Sequence, residues 1–313
     1  MHMQRSQSES HTTPSLSVLM PVYNVQRYLA EAVESILNQT FTDFELICVD
    51  DGSTDDSLEI LQGYAACDPR IRIISRPNTG IVGALNDALA AATAPLIARM
   101  DGDDTSSPTR FEKQIDYMNQ NLNCIAVGTW CTRTDPFGNP AGEQHPPLTH
   151  DEIDTALMQA DGSSVIHATM IIRREPLQQI GGWNPQYDWV EDFDLLLRLA
   201  EQGALANIPE PLYAYRRHTE SICFTKYAQM CDRLRDVLTE AHKRRNLPLL
   251  SDMQSIRPEL PKKQSAAEHY RSWACHAINH HNKKFAYRHA LTALCHEPFN
   301  LKSWQVAYWA LSA

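Results

Sequence analysis

Apolar positions in the first part of this chain follow two alternating periods. Short apolar runs of strand length occupy residues 16–20, 44–49, 71–75, 95–100 and 124–130. Between them the spacing turns helical. Leu29, Val33, Ile36 and Leu37 share one face, and Leu85, Ala88, Leu89 and Ala92 share another. Repeated strand–helix units predict a mostly parallel sheet with right-handed crossovers. Sheets of that kind bind ligands at the carboxyl ends of their strands.

Downstream the pattern loosens. Residues 132–147 are rich in Pro and Gly and read as a loop. A helix is expected over 151–159, a strand over 165–172 and a helix over 191–202, with Leu195, Leu196 and Leu199 facing the core. Two short strands, 204–208 and 212–216, flank the turn Pro209-Glu210-Pro211. A long helix over 225–245, a Pro-containing linker over 246–264 and three helices over 266–281, 283–296 and 301–312 complete the chain. The spacing Ala286, Ala290, Ala293, Pro298 is that of one helix-hairpin repeat. The resulting organisation is a polar tail (1–14), an α/β domain (15–225) and a helical region (226–313).

Composition narrows the functional classes. The 313 residues suffice for one large α/β domain and an accessory piece. With a formal net charge of −10 and no long basic run, nucleic acid is not the expected partner, because phosphate neutralisation needs clustered Lys and Arg. The short Lys243-Arg244-Arg245 run reads as a solvated helix end. None of the eight cysteines has C-x-x-C spacing, and several lie in apolar segments. Buried free thiols in a reducing cytosol are the expectation. Residues 1–14 lack the apolar stretch of a signal peptide, and no apolar run is long enough to span a bilayer.

Candidate chemistry centres on Met100-Asp101-Gly102-Asp103-Asp104, where an apolar strand ends in three carboxylates. Like charges held together repel, and a hard divalent cation such as Mn²⁺ or Mg²⁺ would relieve that repulsion while carrying a diphosphate. A solvated acidic turn ahead of the helix after Pro108 explains the same residues equally well. Two further strands run into Pro21-Val22-Tyr23-Asn24 and Val49-Asp50-Asp51-Gly52-Ser53-Thr54-Asp55, on the same expected edge. There an Asp can accept from a base N–H or ribose hydroxyl, and a tyrosine can stack on a base. Asp55 reads as a helix cap, whereas Asp51, a second acid at a strand end, reads as functional. His167 is expected to be an interior histidine, Arg99 to pair with Asp101, and Trp183 to be either core or a sugar platform. The histidines of the last helices read as solvated.

These motifs, together with Ser35-Ile36-Leu37-Asn38-Gln39-Thr40, Phe44-Glu45-Leu46, Asn78-Thr79-Gly80, Gly181-Gly182-Trp183, Glu191-Asp192-Phe193-Asp194 and Tyr215-Arg216-Arg217-His218, occur in an order that resembles glycosyltransferase family 2 over roughly residues 15–225. The resemblance implies a GT-A nucleotide-sugar-binding fold and an inverting, metal-dependent transferase of hexosyl type. It implies Asp192 as catalytic base with Glu191 in support, and Pro21, Tyr23, Asn24, Asp51, Asp101, Gly102 and Trp183 around the nucleotide sugar. Asp103, Asp101 and His218 would serve Mn²⁺ or Mg²⁺. The implied donor is a nucleoside-diphosphate sugar, with UDP as carrier. The implied acceptor is a saccharide, glycolipid or glycoprotein, in surface polysaccharide, lipopolysaccharide or glycan synthesis. The C-terminal helices are candidates for acceptor binding, for homodimer formation or for peripheral membrane contact, at the inner face of a membrane in the cytoplasm. A sugar nucleotidyltransferase is a weaker alternative, because Pro21–Arg27 lacks a glycine-rich basic phosphate loop. A non-catalytic binding module would have lost the acidic turn or the late carboxylates.

Overall fold

The computed structural model describes residues 13–218, 227–248, 265–279 and 282–312. The tail over 1–12, the start of the long helix, the 225/226 boundary, most of the linker and Cys223 lie outside the described residues. The six cysteines Cys48, Cys67, Cys124, Cys131, Cys275 and Cys295 are free thiols.

Four parallel strands form the first half of one mixed sheet: β1 (Leu16–Val22), β2 (Phe44–Asp50), β3 (Ile71–Ser75) and β4 (Leu96–Arg99), in the order β3-β2-β1-β4. Helices α1 (Gln26–Leu37), α2 (Ser57–Cys67) and α3 (Ile81–Ala91) make the crossovers. Alternate side chains go to opposite layers. Val18, Met20, Leu46 and Cys48 pack under α1, while Leu19, Ile47, Val49 and Ile97 pack under α3. Because β1 lies between β2 and β4, the chain leaves all three strands at one edge.

The sheet continues with a short β5 (Thr105–Ser106), α4 (Arg110–Gln120), β6 (Cys124–Thr134), β7 (Pro140–Gln144), α5 (His150–Met158), β8 (Ile171–Arg173), α6 (Arg174–Gln179), α7 (Glu191–Ala200) and β9 (Ala204–Arg216). Strand β8 is antiparallel to both β4 and β6, β9 runs parallel to β6, and β5 closes the edge against β9. Leu195, Leu196 and Leu199 of α7 are buried, as its periodicity predicts.

Three local expectations are corrected. The 132–147 loop is largely a hairpin, because β6 runs on to Thr134 and pairs with β7. Its turn is built by Asp135, whose Oδ1 accepts from the N–H groups of Phe137 (2.8 Å) and Asn139 (2.9 Å). The expected strand over 165–172 is mostly a 3₁₀ turn at His167–Thr169, held by the Thr169 hydroxyl on the Ile166 carbonyl, and only Ile171–Arg173 extends. The two strands flanking Pro209-Glu210-Pro211 are one strand. Its register slips between Thr129↔Ile208 and Trp130↔Pro211, so the prolines sit in a bulge where no ladder N–H is needed.

Beyond α8 (Tyr227–Arg244), the helices α9 (Ala266–Asn279), α10 (Lys283–His296) and α11 (Leu301–Ser312) pack around Ala274, Ala277, Ala286, Ala290, Val306, Ala307 and Ala310. No helix of the described residues is long and apolar enough to cross a membrane.

Candidate active site

Loops leaving β1 and β2 are laced together at the sheet edge. Asn24, held at φ +52°, donates its backbone N–H to Ser53 Oγ (3.1 Å) and accepts the Thr54 N–H (2.8 Å). Asp55 accepts the N–H groups of Gln26 and Ser57, so its capping role is structural. Tyr23 is left half exposed beside Pro21. Asp51 is buried, and its two oxygens accept the N–H groups of Thr79 (3.1 Å) and Gly80 (2.8 Å). The Arg76 Nε lies 3.4 Å away. Asp51 thus folds the 76–80 loop against the edge. Gly52, at φ +73°, leaves room for that loop: a Cβ there would stand 2.8 Å from the Asn78 nitrogen.

The chain then delivers its acids. Carboxylate oxygens of Asp101, Asp103 and Asp104 come within 4.8 Å of one another. Asp101 pairs with buried Arg99 (2.7 Å), and its N–H donates to the Tyr213 hydroxyl (3.2 Å). Asp103 Oδ2 lies 2.9 Å from His218 Nε2, at the end of β9. Asp104 is buried. Its Oδ1 accepts the Arg216 N–H (2.6 Å), and its Oδ2 has no partner among the described residues. Gly102 turns tightly against Val25, 3.2 Å from where a Cβ would stand. Burial, then the mutual repulsion of the cluster, pushes Asp104 well above the ordinary carboxylate range. Burial also raises Asp101, against the pull of Arg99.

Helix α7 supplies the late carboxyls. Asp192 accepts the Phe193 N–H (2.7 Å), and burial raises its carboxyl. Glu191 is buried with Oε2 unpartnered among the described residues, and burial followed by the Asp192 charge pushes it up to about 8. Asp194 instead pairs with Arg198, which also donates to the Ile180 carbonyl, so it is structural. Arg99 joins the two groups: its charge acts on Asp101, Glu191 and Asp192, and Asp101 acts on Asp192. The strand-end acids and the helix-start acids therefore share one electrostatic field.

The sheet edge and the acidic turn lie within the part of the chain that matches a known family. The family "Glycosyl transferase family 2" matches residues 17–181. The chain is a family 2 glycosyltransferase. Putative glycosyltransferase EpsE of Bacillus subtilis (strain 168) is 34% identical over 241 residues, covering 75% of this chain and 84% of that protein. Among solved structures, S. aureus TarS 1-349 in complex with UDP-GlcNAc aligns over 95% of this chain and 79% of that chain, with TM-score 0.61 and 16% identity. The mannosyltransferase PcManGT from Pyrobaculum calidifontis, in complex with GDP-Man and Mn²⁺, aligns over 97% of this chain and 81% of that chain, with TM-score 0.54 and 16% identity. At that identity the two structures establish the GT-A fold.

In this glycosyltransferase the acidic turn fits a divalent cation. It offers clustered carboxylates, an unpartnered oxygen on Asp104 and an imidazole nitrogen on Asp103, the hard and borderline donors such ions accept. Trp183 corrects its expected role as a sugar platform. It is 1% exposed, with its N–H and carbonyl gripped by Asn86 and its indole N–H donating to His167 (2.9 Å), so no ring face is open to a ligand. His167 is the interior histidine expected, held neutral by burial and by Arg99. Arg216 and Tyr213 were not singled out from sequence. Arg216 donates to Asp104 Oδ1, to the Asp103 carbonyl (2.8 Å) and to Glu31, bracing the turn from behind. Its sequence signal is its place in the Tyr215-Arg216-Arg217-His218 motif, two residues before His218.

Proposed function

We propose that this glycosyltransferase moves a hexosyl group from a nucleoside-diphosphate donor to an acceptor hydroxyl with inversion at the anomeric carbon. The single observation that carries the reading is the carboxylate cluster of Asp101, Asp103 and Asp104 at the strand-end edge of the sheet, with oxygens within 4.8 Å of one another. Asp192 takes the hydroxyl proton as the acceptor oxygen bonds to the anomeric carbon, and the diphosphate leaves from the opposite face. Glu191, protonated below about pH 8, stands beside the base as a hydrogen-bond donor rather than a second anion. Tyr23, Pro21 and Asn24 line the nucleotide side, with Tyr23 exposed enough to stack on a base. Asp51 acts on the nucleotide through the loop it organises and through any lone pair it shares with the base. Asp103 and His218, with Asp101, would hold Mn²⁺ or Mg²⁺. Such an ion would offset the charge that develops on the departing diphosphate.

The UDP carrier draws support from the UDP-GlcNAc complex of the similarly folded TarS, and the GDP-Man complex of PcManGT makes guanosine the competing arm. In this reading the acceptor is a saccharide, free or carried on lipid or protein, in surface polysaccharide, lipopolysaccharide or glycan synthesis. Free thiols suit a cytoplasmic enzyme.

The test is a thermal-shift series with UDP, GDP and thymidine diphosphate, each with and without Mn²⁺. A ligand that binds only the folded state raises Tm. The expected result is a Mn²⁺-dependent rise with UDP. A Mn²⁺-dependent rise with another nucleotide replaces the carrier, and no rise with any of them removes the reading.

A further inference from the structure

Helix α11 is packed inside out. Its small residues Ser303, Val306, Ala307 and Ala310 are buried, and Ala307 and Ala310 meet the alanines of α9 and α10. Its large apolar residues face outward. Leu301, Trp304, Tyr308 and Leu311 follow helical spacing along one stripe, with Trp304 59%, Tyr308 69% and Leu311 70% exposed. Trp309 flanks the stripe, and Phe299, just before the helix, is 97% exposed. Neighbouring α10 exposes Tyr287 and Leu291. Single exposed apolar residues are ordinary, but a stripe with two tryptophans and a tyrosine marks a contact surface.

Charge selects the occupant. Residues 282–312 carry Lys283, Lys284, Arg288 and Lys302 against the single carboxylate Glu297, in a chain whose formal charge is −10. Among the described residues no carboxylate pairs with any of the three lysines, whereas Glu297 is held by Arg271. An anionic surface therefore attracts this end of the molecule and repels the rest. Two copies meeting through the same face would bring like charges together, which disfavours a homodimer here. Trp and Tyr rings suit the headgroup level of a bilayer, where one end is apolar and the other wet. Since no described helix can cross a membrane, the mode is to lie on one.

We propose that the outward face of α11, with its own exposed Lys302 and the exposed Lys283 and Lys284 of α10, docks on an anionic lipid bilayer. This goes beyond the transfer reaction and needs no donor or acceptor to test, so it stands or falls separately from the transfer reading. The full chain is sedimented with vesicles of phosphatidylcholine alone and of phosphatidylcholine mixed with phosphatidylglycerol. Binding to the mixed vesicles, weakened by salt, is expected. Trp304→Ser with Tyr308→Ser, and separately Lys284→Glu with Lys302→Glu, are each expected to lower partitioning at least about tenfold, with far-UV circular dichroism unchanged. Should a variant misfold, quenching of wild-type tryptophan fluorescence by brominated lipid in the mixed vesicles gives the same answer on the native chain. No binding to the mixed vesicles overturns the proposal, as does binding that both double variants retain in full. A dimer in light scattering that Trp304→Ser with Tyr308→Ser disperses, without vesicle binding, overturns it in favour of self-association.

Discussion

His289 Nε2 lies 2.6 Å from Asp135 Oδ2, with both side chains buried, and this contact joins the helical extension to the hairpin beside the acidic turn. Asp135 builds that hairpin turn, and the adjoining Pro136 carbonyl accepts from Arg216. Arg216 in turn holds Asp104 and the Asp103 carbonyl. Replacing His289 with Ala leaves a buried carboxylate without its ring partner. Such truncations cost about 2–4 kcal/mol. Urea denaturation of His289→Ala, Asp135→Ala and the double variant should return a coupling above about 1 kcal/mol. Additive effects would show that the helical unit is held by apolar packing alone.

Glu191 gives a stability profile with a definite sign. Burial raises its carboxyl from the usual range to about 8. Below about pH 4.5 folded and unfolded chains both hold the proton. Between there and about pH 8 only the folded chain holds it, so its contribution to stability falls as pH rises and then levels. Glu191→Gln removes that loss. Its melting temperature should match wild type near pH 4.5 and exceed it near pH 8, by on the order of a few kcal/mol in unfolding free energy. An equal offset at both pH values would mean that Glu191 ionises normally.

In the proposed reaction Asp192 is the base, and an amide in its place cannot accept a proton. Asp192→Asn should bind the nucleotide with an unchanged Mn²⁺-dependent thermal shift while transfer falls about 10²–10⁴-fold. Because burial raises this carboxyl, the acid limb of the wild-type rate profile should lie above the ordinary aspartate range. Transfer at the wild-type rate by Asp192→Asn would assign the proton to another group.

The parallel half of the sheet was readable from sequence because each of its strands is a short apolar run between amphipathic helices, as at Leu19 and Ile47. The hairpin at 132–147 was not, because Asp135 replaces apolar alternation as its organiser. Proline at 209 and 211 resembled a strand break, since only the register with β6 reveals the bulge. At the site, acids gathered at a strand end drew attention to Asp101 and Asp103, whereas Asp192, at the start of a helix, was singled out through the family resemblance. The side chains that hold them did not. Apart from Arg99, whose pairing with Asp101 two residues on is expected from sequence, they look like any strand residue: Arg216 and Tyr213 meet the acids only when the fold brings residues more than a hundred positions apart into contact, as with the Arg216 N–H on Asp104. Trp183 had the opposite fate, because the same Gly-Gly-Trp segment is compatible with a surface platform or, as Asn86 and His167 make it, a core anchor.

Asp103 and Asp104 are neighbours in different surroundings, and their variants separate the proposed ion binding from folding. Asp103 is partly exposed and faces His218 across 2.9 Å, whereas Asp104 is buried and anchors the Arg216 backbone. Asp103→Ala should therefore abolish the Mn²⁺-dependent rise in Tm with nucleotide while shifting the apo Tm little, because the ring partner that buried His218 loses is offset by relief of the repulsion Asp103 exerts on Asp101 and Asp104. Asp104→Ala should lower the apo Tm, since it strands the Arg216 N–H at a cost of about 1–3 kcal/mol. Parallel loss of apo stability in both variants would make the acidic turn a folding element first. An unchanged Mn²⁺ response in Asp103→Ala would move the ion to other ligands.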